Sequence, residues 1–220
     1  MNEESKKNET ELVMILDQSG SMRGLEESTV SGYNEMLEKQ KKVEGDCLLS
    51  TILFNTERRK VVSHEDLKEA SPMEEKDFVP SGCTALLDAV GLTIEEVEAN
   101  QAEAQRTPKT IFAIITDGLE NASRLYDYPR LKRLIERKKR DGWEFLFLGA
   151  NMDAESEAGK LGIDEEDAVS YQNDEVGVTK NFMCLSACLK QRRTFPSSSK
   201  RRDSEWKKDI EDYFESKQGK

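Results

Sequence analysis

Histidine is nearly absent from this chain, since His64 is the only one among 220 residues. One imidazole cannot supply most zinc sites, and it argues against a catalytic triad built on histidine. The sequence also has only four cysteines, whose positions do not match the spacing of metal-binding motifs. They are Cys47, Cys83, Cys184 and Cys188. We therefore expect reduced thiols rather than a disulfide framework.

Long apolar segments are missing as well. No apolar run approaches the ~18 residues that a membrane helix needs. The first eleven residues are polar and contain no apolar stretch of the kind found in a signal peptide. Together with the expected reduced cysteines, these features predict a cytoplasmic protein that does not act at a membrane.

Acidic residues outnumber basic ones, with 44 Asp and Glu against 33 Lys and Arg and a formal net charge of -11. Nucleic-acid binders are usually basic, so this balance argues against a nucleic-acid partner. The charge is unevenly distributed, because residues 190–220 carry a net charge of +4 and the rest of the chain carries -15. An acidic body attracts divalent cations in a general way.

Apolar runs of the length of buried strands alternate with helical patterns along most of the sequence. We predict strands at 12–17, 47–54, 58–62, 110–116, 144–148 and 168–171. We predict helices at 25–43, 85–103, about 128–141, 154–161 and 176–191. Helices between buried strands indicate a parallel sheet that is covered on both faces.

The connection between the second and third strands is too short for a parallel crossover. The third strand should therefore run antiparallel at an edge of the sheet, where its charged residues suit exposure. The predicted fold class is α/β, a Rossmann-like doubly wound sheet with strand order 3-2-1-4-5-6.

The two ends of the chain differ from its middle. Residues 1–11 are a polar lead-in, 12–192 are the predicted domain, and 193–220 are a basic C-terminal tail. Residues 196–199 have the composition of a linker. Beyond them a short amphipathic helix can form, which would dock on the domain, bind a partner or remain solvated; we favour a solvated tail. Its apolar residues are Trp206, Ile210, Tyr213 and Phe214.

The first chemical motif directly follows the first predicted strand. The apolar run Leu12–Leu16 ends in Asp17-Gln-Ser19-Gly-Ser21-Met22. Side-chain oxygens at i, i+2 and i+4 can point at one spot in a tight loop, and hard cations such as Mg²⁺ prefer oxygen ligands. The alternative is an Asx or Ser turn that caps the next helix.

Further oxygen ligands follow later in the sequence. In open α/β sheets, ligands bind at the carboxyl ends of strands, where the strand order reverses. In the predicted order this point lies between strands one and four, so Asp17 and Asp117 meet there. Thr84 lies on a loop that returns to the same edge. We therefore predict that Asp17, Ser19, Ser21, Thr84 and Asp117 form one site for Mg²⁺ or Mn²⁺.

Three loops together carry a resemblance to a known family. Asp17–Met22, Gly82-Cys-Thr-Ala-Leu86 and Thr116-Asp-Gly118 match the three loops of a metal-ion-dependent adhesion site, in the expected order. On these residues the chain resembles a von Willebrand factor type A (VWA) domain over roughly residues 10–192, of the kind found inside bacteria or encoded by phages. The tail from Pro196 lies outside the resemblance.

The resemblance implies a function and a role for each site residue. Ser19 and Ser21 would bind the cation through their hydroxyls, Thr84 would join them in one state of its loop, and Asp17 and Asp117 would act directly or through water. The ion would then bind an Asp or Glu carboxylate of a protein partner. Family members inside bacterial cells often act as adapters in larger assemblies, including ATPase-driven and stress-response systems.

Two other functions stay open from the residues alone. Two carboxylates on one Mg²⁺ or Mn²⁺ could support a hydrolase or a phosphoryl-transfer enzyme that uses Asp17 and Asp117. Against it, no histidine base accompanies the motif and the sequence has no Gly-x₄-Gly-Lys-Ser/Thr phosphate loop. The third possibility, a structural domain with a vestigial site, is disfavoured by the full set of five ligands. We expect a protein-binding module that is not an enzyme.

Residues near these loops carry smaller expectations. Asp88 should support the site from behind its ligands. Glu120 and Asn121 should be ordinary polar loop residues. Cys83 should be an inert, buried or half-buried thiol. The basic stretch 130–140 should be a solvated helix face.

Overall fold

The computed structural model describes residues 9–195 and 204–218. Six strands form one sheet: β1 (Thr10–Asp17), β2 (Cys47–Phe54), β3 (Arg58–Asp66), β4 (Lys109–Thr116), β5 (Glu144–Ala150) and β6 (Ala168–Tyr171). Six helices accompany them: α1 (Glu26–Lys41), α2 (Leu86–Glu103), α3 (Tyr128–Arg140), α4 (Ala154–Leu161), α5 (Glu175–Thr194) and α6 (Lys208–Gln218).

The strand order is β3-β2-β1-β4-β5-β6, as predicted. β1 pairs in parallel with β2 on one side and β4 on the other. β3 runs antiparallel to β2 at the edge. The α/β fold class predicted from the sequence is therefore confirmed, and the reversal of strand order lies between β1 and β4.

The central strands are buried because helices cover both faces of the sheet. Leu12, Met14 and Leu16 face the layer that contains α1 and α5, whereas Val13 and Ile15 face the layer that contains α2, α3 and α4. This alternation along a strand whose apolar residues are all at most 1% exposed explains its unbroken apolar sequence. The buried layers fix the strand ends, which carry the candidate site.

Several segments differ from the sequence prediction. β1 begins at Thr10, two residues before the predicted start and inside the predicted lead-in 1–11. β3 continues to Asp66, four residues beyond the predicted end at position 62. The prediction of a solvated tail is wrong for residues 204–218, because α6 packs on the domain and Ile210 is completely buried against it. Lys207 precedes α6 and donates from Nζ to the carbonyl of Ala168 at 3.1 Å. The predicted linker at 196–199 and the lead-in residues 1–8 lie outside the described residues.

The basic stretch on α3 is also less exposed than predicted. Lys138 is only 5% exposed, and its ammonium lies 2.9 Å from Glu98 Oε1 and 3.0 Å from Asp141 Oδ2. It also lies over the ring of Trp143. This lysine is therefore buried with partners, whereas Lys132, Arg133 and Arg140 remain exposed.

No helix within the described residues has the length and apolar character that a membrane crossing requires.

Candidate metal centre

The parallel pairing of β1 with β4 brings two carboxylates to one edge of the sheet. Asp17 is the last residue of β1, and Asp117 directly follows the last residue of β4. Backbone hydrogen bonds then hold the first loop in place: Gln18 N donates to Phe54 O at 2.7 Å, and Gly20 N donates to Gly82 O at 3.2 Å. The loop before Thr84 is thereby attached to the loop after β1.

Gly82 is at a position that requires glycine. Its φ of +73° is in the left-handed region, and an added Cβ would lie 2.7 Å from Thr56 Oγ1. The neighbouring Cys83 N donates to that same hydroxyl at 2.9 Å. The Cys83 side chain is exposed, so the prediction of a buried or half-buried thiol is wrong. The chain turns outward at this point before it enters α2.

Four of the five predicted ligands form one continuous hydrogen-bonded chain. The hydroxyls of Ser19 and Ser21 are 3.0 Å apart. Ser21 Oγ donates to Asp117 Oδ1 at 2.7 Å. Ser19 N donates to Asp17 Oδ1 at 2.7 Å. The three loop residues and Asp117, which lie about a hundred positions apart in sequence, are thus in direct contact.

Thr84 lies beside this chain of hydrogen bonds rather than within it. It is 3% exposed, and its Oγ1 lies against Gly118, where an added Cβ would be 2.8 Å away. Its backbone pairs with Asn121: Thr84 N donates to Asn121 Oδ1 at 2.9 Å, and Asn121 N donates to Thr84 O at 3.0 Å. The structure therefore places Thr84 next to the loop of Asp117.

Each carboxylate has both of its oxygens engaged by protein donors. Asp17 Oδ2 accepts the hydroxyl of Thr116 at 2.6 Å, in addition to the Ser19 amide on Oδ1. Asp117 Oδ2 accepts Nδ2 of Asn173 at 3.1 Å, in addition to the Ser21 hydroxyl on Oδ1. Asn173 is thus a site residue that the sequence did not indicate, and Thr116, which belongs to the third matching loop, has a supporting role that was not expected.

Burial makes the two carboxylates costly to ionise without a cation. Asp17 is 1% exposed, and desolvation raises its pKa to about 6, with a smaller contribution from the nearby charge of Asp117. Desolvation also raises the pKa of Asp117. The hydrogen bonds from Thr116, Ser19 and Ser21 act in the opposite direction. A cation at this point would favour the ionised form of both groups.

The arrangement fits a small hard cation. All five predicted ligands offer oxygen, and the 3.0 Å between the serine hydroxyls matches the separation of about 2.8–3.0 Å between adjacent ligands in an octahedron with bonds of about 2.0–2.1 Å. One buried acceptor at the site, Asn173 Oδ1, has no hydrogen-bond partner. Waters of a hydrated ion would satisfy acceptors of this kind.

The carboxylate, thiol and imidazole groups of the described residues are not arranged to hold a metal by themselves. Within residues 9–195 and 204–218, no group of three or more His, Cys, Asp or Glu side chains is placed to hold a metal. A metal at this edge would therefore depend on the serine and threonine hydroxyls.

The loop after Asp117 is attached to the start of α2 by two acidic residues. Glu120 accepts the amide of Leu87 at 2.9 Å and the hydroxyl of Ser123 at 2.7 Å, so it holds the loop against α2. Asp88 accepts the backbone amides of residues 124–126 at 2.8–2.9 Å. Asp88 thus supports the loop rather than a ligand directly. Acidic residues near a helix start are the sequence signal for such contacts.

Comparison with known proteins gives a likeness of structure only. No protein-family model matches the sequence, and no curated protein matches it. Proximal thread matrix protein 1 from the mussel byssus superposes with a TM-score of 0.58 at 14% identity, over 83% of this chain and 46% of that chain. A von Willebrand factor type A protein from Catenulispora acidiphila gives a TM-score of 0.58 at 14% identity, over 82% of this chain and 42% of that chain.

A third structure is the manganese-loaded TRAP protein of Plasmodium vivax, with a TM-score of 0.53 at 13% identity, over 81% of this chain and 74% of that chain. The structure of the mussel protein has also been solved with zinc in its metal-ion-dependent adhesion site (MIDAS) motif. The chain spans less than half the length of the mussel and Catenulispora proteins. These likenesses show that the chain has the fold of VWA domains.

Proposed function

We propose that residues 12–192 form a VWA-type domain whose metal centre binds a carboxylate of a protein partner. Ser19 and Ser21 would hold Mg²⁺ or Mn²⁺ through their hydroxyls, Thr84 would approach from its loop, and Asp17 and Asp117 would balance the charge. When bound, the ion supplies positive charge that attracts an Asp or Glu side chain.

The observation that carries this proposal is that both carboxylate oxygens of Asp17 and both of Asp117 accept hydrogen bonds from the protein. Because Asp17 and Asp117 already accept two hydrogen bonds each, the neutral hydroxyls of the two serines are the oxygens best placed as direct ligands. Hydroxyl ligands leave the charge of the ion largely uncompensated, and a partner carboxylate can compensate it. The site is thus suited to capture an acid.

The surface around the site suits a protein partner. A groove of about 300 Å³ next to Asp117 combines apolar residues, such as Leu119 and Met152, with polar and charged ones, such as Asp153 and Lys160. Four of the six exposed large apolar side chains in the described residues lie in the loops or the helix start around the site. These are Val79, Leu119, Leu125 and Val176. An apolar rim around a polar centre is typical of protein interaction sites.

The proposal includes a non-enzymatic role in a reducing compartment such as the cytoplasm. The only histidine contacts Glu11, near the start of β1 and therefore at the opposite edge of the sheet from Asp17. Cys83 is an exposed free thiol, which is compatible with reducing conditions. The partner class, an adapter target such as an ATPase-type or stress-response assembly, is part of the same proposal.

Affinity capture tests this function. Wild type, Ser19→Ala and the control Ser31→Ala, an exposed serine on α1 outside the site, would each be exposed to a lysate of the source cell in Mg²⁺ or in EDTA. We expect wild type and Ser31→Ala to capture a partner protein in Mg²⁺ but not in EDTA, and Ser19→Ala to capture none. Replacement of one acidic residue of that partner should abolish its capture. Capture that is equal in EDTA would contradict the proposal. Metal-dependent turnover of a phosphoester that Asp17→Ala abolishes would favour the enzyme instead.

A further inference from the structure

Asn173 contacts the candidate metal centre from a part of the chain that the three matching loops do not include. It lies between β6 and α5, and its Nδ2 donates to Asp117 Oδ2 at 3.1 Å. The opposite orientation of the amide would place a carbonyl oxygen against the carboxylate, so the donor must face Asp117. An amide N–H group cannot bind a cation.

The position of Asn173 is fixed from two sides. Its backbone N donates to Asn151 Oδ1 at 3.1 Å. The next residue, Asp174, caps α5 by accepting Gly177 N at 2.7 Å and also accepts the hydroxyl of Tyr213 on α6 at 2.9 Å. The C-terminal helix thus braces the turn that carries Asn173.

From this geometry we infer that Asn173 is a positioning residue that holds Asp117 away from direct contact with the metal. Asp117 Oδ1 is engaged by Ser21 and Oδ2 by Asn173. If the amide donor is removed, Oδ2 is free to turn toward the ion and to replace a neutral ligand. Asn173 would therefore preserve the charge of the ion for a partner carboxylate. This inference rests on the proposed function of the same site.

The inference predicts that metal binding and carboxylate binding change in opposite directions. A charged ligand binds a hard cation more tightly than a neutral one, so we expect Asn173→Leu and Asn173→Ala, which remove the amide and add no charge, to bind Mn²⁺ roughly tenfold more tightly than wild type. The ion in these variants should have about one exchangeable water fewer and a weaker affinity for acetate. A role for Asn173 in folding alone would not tighten metal binding.

The experiment uses the full chain with Mn²⁺ alone and then with acetate as the carboxylate probe. Free Mn²⁺ is measured by electron paramagnetic resonance, and bound water by proton relaxation. Gln172→Leu is the matched control, since it makes the same kind of replacement one position earlier without removing a contact to Asp117. We expect this control to behave as wild type does.

Each outcome decides the inference. Tighter Mn²⁺ binding with fewer exchangeable waters in both Asn173 variants would support it, and unchanged or weaker Mn²⁺ binding in both would overturn it. Failure of wild type itself to bind Mn²⁺ would overturn the proposed function, and the inference with it. If wild type binds Mn²⁺ normally and the Asn173 replacements have no effect, only the inference about Asn173 is overturned.

Discussion

Replacement of Thr116 by valine tests the hydrogen-bonded support of Asp17. Thr116 is completely buried, and its hydroxyl lies 2.6 Å from Asp17 Oδ2. Valine has nearly the same shape, so the change is the loss of this donor together with the contacts of the same hydroxyl with Gly118 O at 2.9 Å and Gly118 N at 3.3 Å. The Gly118 groups do not titrate, so a difference between two pH values reports on Asp17. A hydrogen bond to a charged group contributes about 1.5–3 kcal/mol, and one between neutral groups about 0.5–1.5 kcal/mol. Burial raises the pKa of Asp17 to about 6, so the partner is charged at pH 8 and mostly neutral at pH 5.

We therefore expect Thr116→Val to lower the free energy of unfolding by about 1.5–3 kcal/mol at pH 8 and by about 0.5–1.5 kcal/mol at pH 5. The assay is urea denaturation of the metal-free protein at both pH values. Thr110→Val is the matched control, because Thr110 is equally buried on the same strand and accepts a neutral amide from Gln101. Equal losses for Thr116→Val at both pH values would show that Asp17 does not change its protonation state between them.

Three further predictions concern titration, thiol reactivity and the C-terminal helix. Because metal binding needs the ionised carboxylate of Asp17, the affinity for Mn²⁺ should fall as the pH is lowered through about 6. In the metal-free protein, the contribution of Asp17 to stability should instead fall as the pH rises from 3.8 to about 6, since only the folded state retains its proton there. Mn²⁺ titration and urea denaturation at several pH values check the direction of each change. Cys83 should react rapidly with a thiol reagent in the folded protein, whereas Cys47 and Cys188 should react only after unfolding, because burial raises the pKa of both thiols to about 11. We expect to count one fast-reacting thiol in the wild-type protein and none in Cys83→Ser. Ile210→Ala should destabilise the protein by about 2–5 kcal/mol in denaturation, since a completely buried side chain is truncated; an effect below about 0.5 kcal/mol would mean that α6 does not pack on the domain in solution.

The sequence was sufficient to predict the fold because the local and long-range signals agree. The unbroken apolar run Leu12–Leu16 predicts a strand buried on both faces, and the structure has it at the centre of the sheet. The short connection from β2 to β3 correctly predicted the antiparallel edge. Once the strand order is known, the meeting of Asp17 and Asp117 follows from topology alone.

The contacts that support the proposed ligands could not be predicted in the same way. Thr116 looks like the last residue of an apolar strand, and Asn173 looks like a polar turn residue. Their roles depend on side-chain directions across distant segments, and local patterns do not encode these directions. The burial of Ile210 has the same origin, because one apolar residue per turn in a charged tail is equally compatible with a solvated helix.

The metal centre can be tested directly with a crystal of the full chain grown with Mn²⁺ and measured at a wavelength where manganese scatters anomalously. We expect one anomalous peak about 2.1 Å from the hydroxyls of Ser19 and Ser21, with Asp17 and Asp117 still hydrogen-bonded to their protein donors. No peak at this edge of the sheet, or a peak bonded to the two carboxylates and to neither serine, would contradict this expectation.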